Sequence, residues 1–270
     1  MSPRVVASLP DVRLSEIRRP GGWTRRRLVR GLPHERRPKP DHGRAKRNPV
    51  LARVLLVPLL LLAACAGPGP GGLTAVLTAP TDVYLTWNPD PGAAGQTVEY
   101  ADDPDGEYTV LHYAQPGENS YEHPDLVPET RCYYRVRPYF GPASEPVEVA
   151  LPPGDDVPAE DSHGWAEPRK GRPGGHPVRS PDAAPAGLRA QARHANGILF
   201  SWTDRAVGED GYLLEARPAG AGEYSVVATL DPDVTSFGLV TLPSEKRASY
   251  RVRAFHRGPP TTVAYQKTLA

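Results

Sequence analysis

With 270 residues, 39 % of them hydrophobic, and with 33 Pro and 26 Gly, the chain has room for one to three domains of short strands and turns rather than long helices. Its net charge of +1 hides a segregation: residues 1–50 carry 14 Lys and Arg against 4 Asp and Glu, and residues 66–270 carry 17 against 27. An acidic body lacks the clustered cations that phosphates demand, which excludes nucleic acid as its partner.

Residues 1–49 have no sustained apolar period and are rich in Arg and Pro, as in Arg25-Arg26-Arg27 and Glu35-Arg36-Arg37-Pro38, so they are expected to be disordered on their own. Three readings fit this extension: a long basic leader to an export signal, a basic arm for nucleic acid or anionic lipid, or a start codon called too early. The last is preferred, with a true start near Val29 or Val50, because an export signal normally begins within a few residues of its charges. Thr24 to Val29 faintly resembles a twin-arginine signal, but Gly31 to Asp41 is polar where the apolar run should follow.

Residues 50–64 contain 11 uncharged, mostly apolar residues between Arg53 and Cys65. A spanning helix needs about 20 such residues, and a run of about 10–14 is better read as the hydrophobic region of a secretory signal. Leu62-Ala63-Ala64-Cys65, with small residues before the cysteine and a Gly/Pro tether over 65–72 after it, resembles the lipobox of bacterial lipoproteins. That resemblance implies cleavage before Cys65, a diacylglyceryl group on its sulfur, and an exported protein held by lipid on the extracellular face of the cell membrane. An ordinary signal peptide with an incidental cysteine is the competing reading. Cys132, the second of 2 cysteines, then has no disulfide partner and reads as a small core residue.

Residues 73–152 show strand-period alternation. Val83, Leu85 and Trp87 fall on one face, with Asp82, Tyr84 and Thr86 on the other. Further runs at Thr97–Ala101, Glu107–His112, Ser120–His123, Cys132–Phe140 and Pro146–Leu151, with one more strand before Thr81, make about seven short strands and an antiparallel β-sandwich. Residues 185–270 repeat the pattern. Tyr84-Leu85-Thr86-Trp87 matches Leu199-Phe200-Ser201-Trp202, Gly106-Glu107-Tyr108 matches Gly222-Glu223-Tyr224, and Tyr134-Arg135-Val136-Arg137 recurs identically as Tyr250-Arg251-Val252-Arg253. This is a tandem repeat of about 80-residue units.

The two Trp, Leu126 and Leu242 before the penultimate strand, and the repeated Tyr-Arg-Val-Arg resemble fibronectin type III domains of the bacterial, exported kind. The resemblance implies an all-β chain of two tandem immunoglobulin-like sandwiches, with residues 153–184, rich in Pro and Gly, as a flexible linker. Six residues after each of those leucines the family usually carries a Tyr whose hydroxyl ties down the E–F corner. Here the positions are Cys132 and Ala248, so both copies are expected to lack that bond. Trp87 and Trp202 are expected to anchor the two cores, each burying on the order of 200 Å². Trp165, inside the linker, reads as a loose aromatic or one resting on a domain.

No Gly-x-Ser-x-Gly, Gly-rich phosphate loop, His-Glu-x-x-His or Cys-x-x-Cys occurs, so no catalytic residue, cofactor or metal is assigned. The turn Asp102 to Glu107 reads as a solvated hairpin rather than a Ca²⁺ loop, and His112 and His123 as ordinary strand-end histidines. One surface stands out. With Tyr134 and Val136 inward, Tyr133, Arg135, Arg137 and Tyr139 point outward, and Arg251, Arg253 and Phe255 do so in the second copy. They form a speculative binding face, set against the simpler reading that Arg stems and rings cover the sheet. The expected function is non-catalytic: a membrane-anchored spacer or protein-interaction module at the cell surface. The alternative is an accessory module for extracellular polysaccharide.

Overall fold

The computed structural model describes residues 72–158 and 164–270, all within one unit of the chain, Cys65–Ala270. The extension 1–49, the apolar run 50–64 and the expected lipid site Cys65 lie outside the described residues. The first copy supplies β1 (Thr74–Ala79), β2 (Asp82–Thr86), β3 (Gly95–Ala101), β4 (Thr109–Ala114), β5 (Ser120–His123), β6 (Arg131–Phe140) and β7 (Val147–Ala150). Two bridging strands follow, β8 (Arg169–Lys170) and β9 (His176–Pro177). The second copy then supplies β10 (Ala186–His194), β11 (Gly197–Thr203), β12 (Ala206–Val207), β13 (Gly211–Pro218), β14 (Ser225–Leu230), β15 (Val234–Val240), β16 (Arg247–Arg257) and β17 (Ala264–Lys267).

Alternation makes these strands. Val83 and Leu85 are fully buried while Tyr84 between them faces out, and Cys132, Tyr134 and Val136 are buried at every second position of β6. The first core packs β1-β2-β5 against the layer that holds β3 and β6, with Trp87 at its end. The second packs β10-β11-β15 against β14-β13-β16 around Phe200, Trp202, Tyr212 and Tyr250. Burying each Trp is what makes either core viable: truncation of such a residue to Ala costs about 3–5 kcal/mol.

The last strand of each copy does not return to its own sheet. β7 pairs antiparallel with β16 of the second copy, Val147 opposite Tyr250 through Ala150 opposite Arg247. β17 in turn pairs with β6 of the first copy, Ala264 opposite Tyr134 through Lys267 opposite Arg131. The pairing is continuous. From Tyr139 opposite Arg257, the first copy runs along β16 through the Ala143–Arg253 bridge and into β7. In the other direction Gly258 donates to the Pro138 carbonyl at 2.8 Å and Thr261 to the Val136 carbonyl at 2.8 Å, leading into β17. Val147, Val149 and Leu151 therefore pack on the second core, not the first.

The residues at the two crossings suit an extended passage better than a hairpin. A tight two-residue hairpin needs positive φ at its first central position, which Pro259 and Pro260 at the second crossing cannot adopt, and neither donates a hydrogen bond. Gly141 sits at φ 131, and a Cβ on it would lie 2.1 Å from the Ala254 carbonyl oxygen, so only glycine lets the chain cross onto β16 this closely.

The segment joining the copies carries structure of its own. β8 adds to the edge of β15 and β9 pairs parallel with β12. Trp165 lies over the paired strands β11 and β15, where a Cβ on Gly197 or Gly238 would come within 2.9 and 2.7 Å of its ring. The missing side chains at those two glycines make the seat for the indole.

The expectation that both copies lack the corner bond is corrected for the second. Pro243–Glu245 forms a 3-10 turn that brings the Glu245 carbonyl beneath Tyr250, whose hydroxyl donates to it at 2.6 Å. In the first copy the equivalent hydroxyl of Tyr134 lies 3.0 Å from His123 Nδ1 instead.

Candidate functional site

The face expected for binding is folded inward at one end. Tyr139 and Phe255 are 5 % and 2 % exposed and meet with Leu213 in a small apolar core between the two sandwiches, flanked by Ala94, Tyr113 and Val226. Their rings contact edge-on, with centroids 6.3 Å apart. Burial pushes the Tyr139 hydroxyl's pKa up, reinforced by the nearby Glu215 charge. Across the same junction the Tyr113 hydroxyl lies 2.7 Å from Thr229 Oγ1, and Gln115 Nε2 donates to the Tyr224 carbonyl. At that end the outward faces of the two sheets thus cover one another.

The arginines of that face are engaged by two buried glutamates. Arg135 donates to Glu99 and its guanidinium lies 3.8 Å over the Tyr108 ring, while Arg137 Nε stands 3.6 Å from Glu99. The second copy repeats the arrangement. Arg251 donates to Glu215 and stacks 4.0 Å over Tyr224, and Arg253 donates to Glu215 Oε1 at 2.8 Å and to the Gly141 carbonyl at 2.7 Å. The remaining residue of the set, Tyr133, packs against Tyr265 of the exchanged strand, centroids 5.1 Å apart and tilted by 42°. The structure therefore brings Tyr139, Arg253 and Phe255 together at the junction and leaves Tyr133 at the far end of β6. Glu99 and Glu215 were missed from sequence. The signal was present, because each precedes its arginine by 36 residues in both copies.

Other candidates resolve individually. His112 bonds Glu118 at 2.8 Å and stacks on Tyr121, while His123 lies edge-on to Tyr100 and Tyr134, so the two histidines are engaged separately. Burial lowers the His123 pKa. The turn Asp102–Glu107 is exposed and closed on itself, the Gly106 amide donating to the Asp103 carbonyl at 3.1 Å and the Asp105 amide to Asp103 Oδ1 at 2.9 Å. Cys132 is a buried free thiol, its pKa raised by burial. A shallow depression of about 340 Å³ at the crossing is lined by Gly92, Phe140, Gly141, Pro142, Arg179 and Pro181, and this lining contains no carboxylate, histidine or hydroxyl.

One cluster was not foreseen. Asp204 follows β11, Glu209 precedes β13 and Asp233 turns from β14 into β15, and one carboxylate oxygen of each lies within 4.8 Å of the others. Asp204 Oδ1 accepts from the Ala206 amide at 2.8 Å and from the Tyr212 hydroxyl. Burial raises the Glu209 pKa, opposed by two backbone hydrogen bonds and reinforced by Asp204 and Asp233. The three are separated by 5 and 24 positions in sequence, so no local motif announces them.

The strand order and the two packed layers define an all-β chain of two tandem immunoglobulin-like sandwiches. No family model matches the chain, and no curated protein does. Among solved structures it is similar to an Fn3-like protein from Clostridium thermocellum, 28 % identical over 27 % of this chain and 77 % of that one, with a TM-score of 0.24. It is also similar to a two-domain fibronectin type III segment of chicken tenascin, 18 % identical over 74 % and 99 % of the respective chains, TM-score 0.23. A third is the FN1–FN3 piece of chicken CNTN1, 17 % identical over 75 % and 66 %, TM-score 0.23.

Proposed function

We propose that the protein is a non-catalytic surface module, held to the membrane by a lipid on Cys65, in which two interlocked sandwiches act as one stiff spacer or protein-interaction body. The observation that carries this reading is the use made of the ionisable groups along β6 and β16. Arg135, Arg137, Arg251 and Arg253 are directed at Glu99 and Glu215, where they bridge neighbouring strands of one sheet rather than face a substrate. Among the described residues no helix is long and apolar enough to cross a membrane, so the attachment in this reading rests on the lipobox resemblance. The alternative, an accessory module for polysaccharide, would draw on exposed aromatics. Tyr84 and Tyr265, 36 % and 50 % exposed, are available to it, whereas Tyr139 and Phe255 are enclosed.

Intact-mass analysis of protein from its native membrane fraction tests the anchor. The expected species begins at Cys65 and carries a diacylglyceryl increment. A soluble species that retains residues 1–50 would sink the proposal and turn attention to the basic arm. Retention on chitin or cellulose above an albumin control would favour the polysaccharide reading instead.

A further inference from the structure

We propose that Asp204, Glu209 and Asp233 form a divalent-cation site on the second sandwich, with the oxygen chemistry that selects Ca²⁺. All three ligands are carboxylates, and the absence of sulfur or imidazole from the group points to a hard cation. Ca²⁺ holds its oxygens at about 2.3–2.6 Å, so two ligands on opposite sides of one ion stand about 4.6–5.2 Å apart. The three oxygens, all within 4.8 Å of one another, are close enough to share a single ion of that size. Mg²⁺, with bonds of about 2.0–2.1 Å and a strict octahedral demand, needs a tighter set.

A second observation points to a ligand. Asp204 is only 6 % exposed, and its Oδ2 is buried with no hydrogen-bond partner, while Oδ1 is already used by Ala206 and Tyr212. A buried carboxylate oxygen without a partner is costly and calls for an explanation. Glu209, 9 % exposed, adds a second enclosed carboxylate beside it. Among the described residues no ion pair joins any of the three to Lys, Arg or His. Among the described residues no countercharge accompanies this grouping, and a bound cation would supply one.

The repeat provides an internal control. Trp202 corresponds to Trp87, and Gly211 opposite Phe255 corresponds to Gly95 opposite Tyr139; these two matches, one residue out of step with each other, set the alignment of the copies on either side of that difference. The first copy then builds the same sandwich with Pro89, Ala93 and Gly117 where the second has the three acids. The fold does not require the carboxylates. They tie together the end of β11, the start of β13 and the turn into β15, three segments that meet at one end of the second sandwich. A cation there would clamp that end shut.

The test is calorimetric titration of the full chain, stripped with chelator, with CaCl₂ alone, alongside thermal unfolding. One site per chain is expected, with a dissociation constant of about 10⁻⁴–10⁻³ M, as for extracellular modules. The unfolding midpoint should rise with Ca²⁺ and much less with equimolar Mg²⁺. Asp233→Asn is the variant of choice, because Asp233 is the least buried of the three and Asn tolerates its φ of 63°. It should weaken binding at least tenfold while the metal-free midpoint stays level or rises. Should it fail to fold, Glu209→Gln carries the same test. Absence of saturable binding up to 10 mM, an approximate ceiling set by that affinity range, overturns the site. So does binding that survives the substitution, which would place the ion elsewhere, for example at the Asp102–Asp105 turn.

Discussion

At the scale of single residues, equivalent positions of the two copies have been put to different uses. Tyr134 and Tyr250 occupy the same place in the repeated Tyr-Arg-Val-Arg, and both are fully buried. One hydroxyl closes a corner on a backbone carbonyl, and the other meets an imidazole. The His123 ring is edge-on to Tyr100 and Tyr134, and burial holds its pKa below the ordinary value. The direction of the pH effect follows. In the unfolded chain His123 titrates near pH 6.5, while the folded protein resists protonation until lower pH. Its contribution to stability is therefore complete above about pH 6.5 and is lost progressively as pH falls below that value through the depressed folded pKa, with a slope of up to about 1.4 kcal/mol per pH unit. Denaturant unfolding at pH 7.5 and 5.5 should show a smaller loss for His123→Gln than for the native chain. Parallel losses would mean that carboxylates elsewhere set the acid limb.

At the scale of elements, the exchange of last strands makes a prediction that sequence position alone would get wrong. Removing residues 262–270 deletes β17, and the edge it uncovers is β6 in the first copy, more than a hundred residues away. Hydrogen exchange should show amides of Arg131 to Tyr134 losing protection while those of Arg247 to Tyr250, covered by β7, keep theirs. The reverse pattern would mean each copy keeps its own last strand. The seven strands of the first copy could be read from alternation and those of the second from the repeat, because Val83, Leu85 and their counterparts Ile198 and Phe200 must be buried whatever the topology. The partner of each last strand could not. Backbone ladders carry no residue code, and the segments that receive the last strands, Arg131–Tyr134 and Arg247–Tyr250, each run from an exposed Arg to a buried Tyr. The same limit explains Tyr139 and Phe255. Alternation assigned them to the outer face, but not to what covers that face. The acidic cluster was hidden for a simpler reason: its three members come from three loops, and only tertiary folding joins them.

At the scale of the whole molecule, the exchanged strands, the β6–β16 pairing and the enclosed Tyr139–Leu213–Phe255 core make the sandwiches one body rather than beads on a string. A chain cut between Pro158 and Gly164 would yield one fragment carrying β1 to β7 and another carrying β8 to β17. Neither fragment holds a complete sandwich. The first sandwich needs β17 from the second fragment, and the second needs β7 from the first. Two four-residue strands and their ladders would have to be stripped from foreign sheets before the pieces could part. A protease site inserted in that gap should therefore leave a nicked protein that elutes as the intact one and separates only in denaturant. The uncut chain should unfold in a single calorimetric transition whose van't Hoff and measured enthalpies agree. Fragments that separate under native conditions, or two resolved transitions, would return the molecule to a pair of independent domains. A stiff spacer would then be untenable, since interdomain contacts of ordinary size leave relative motion as the default.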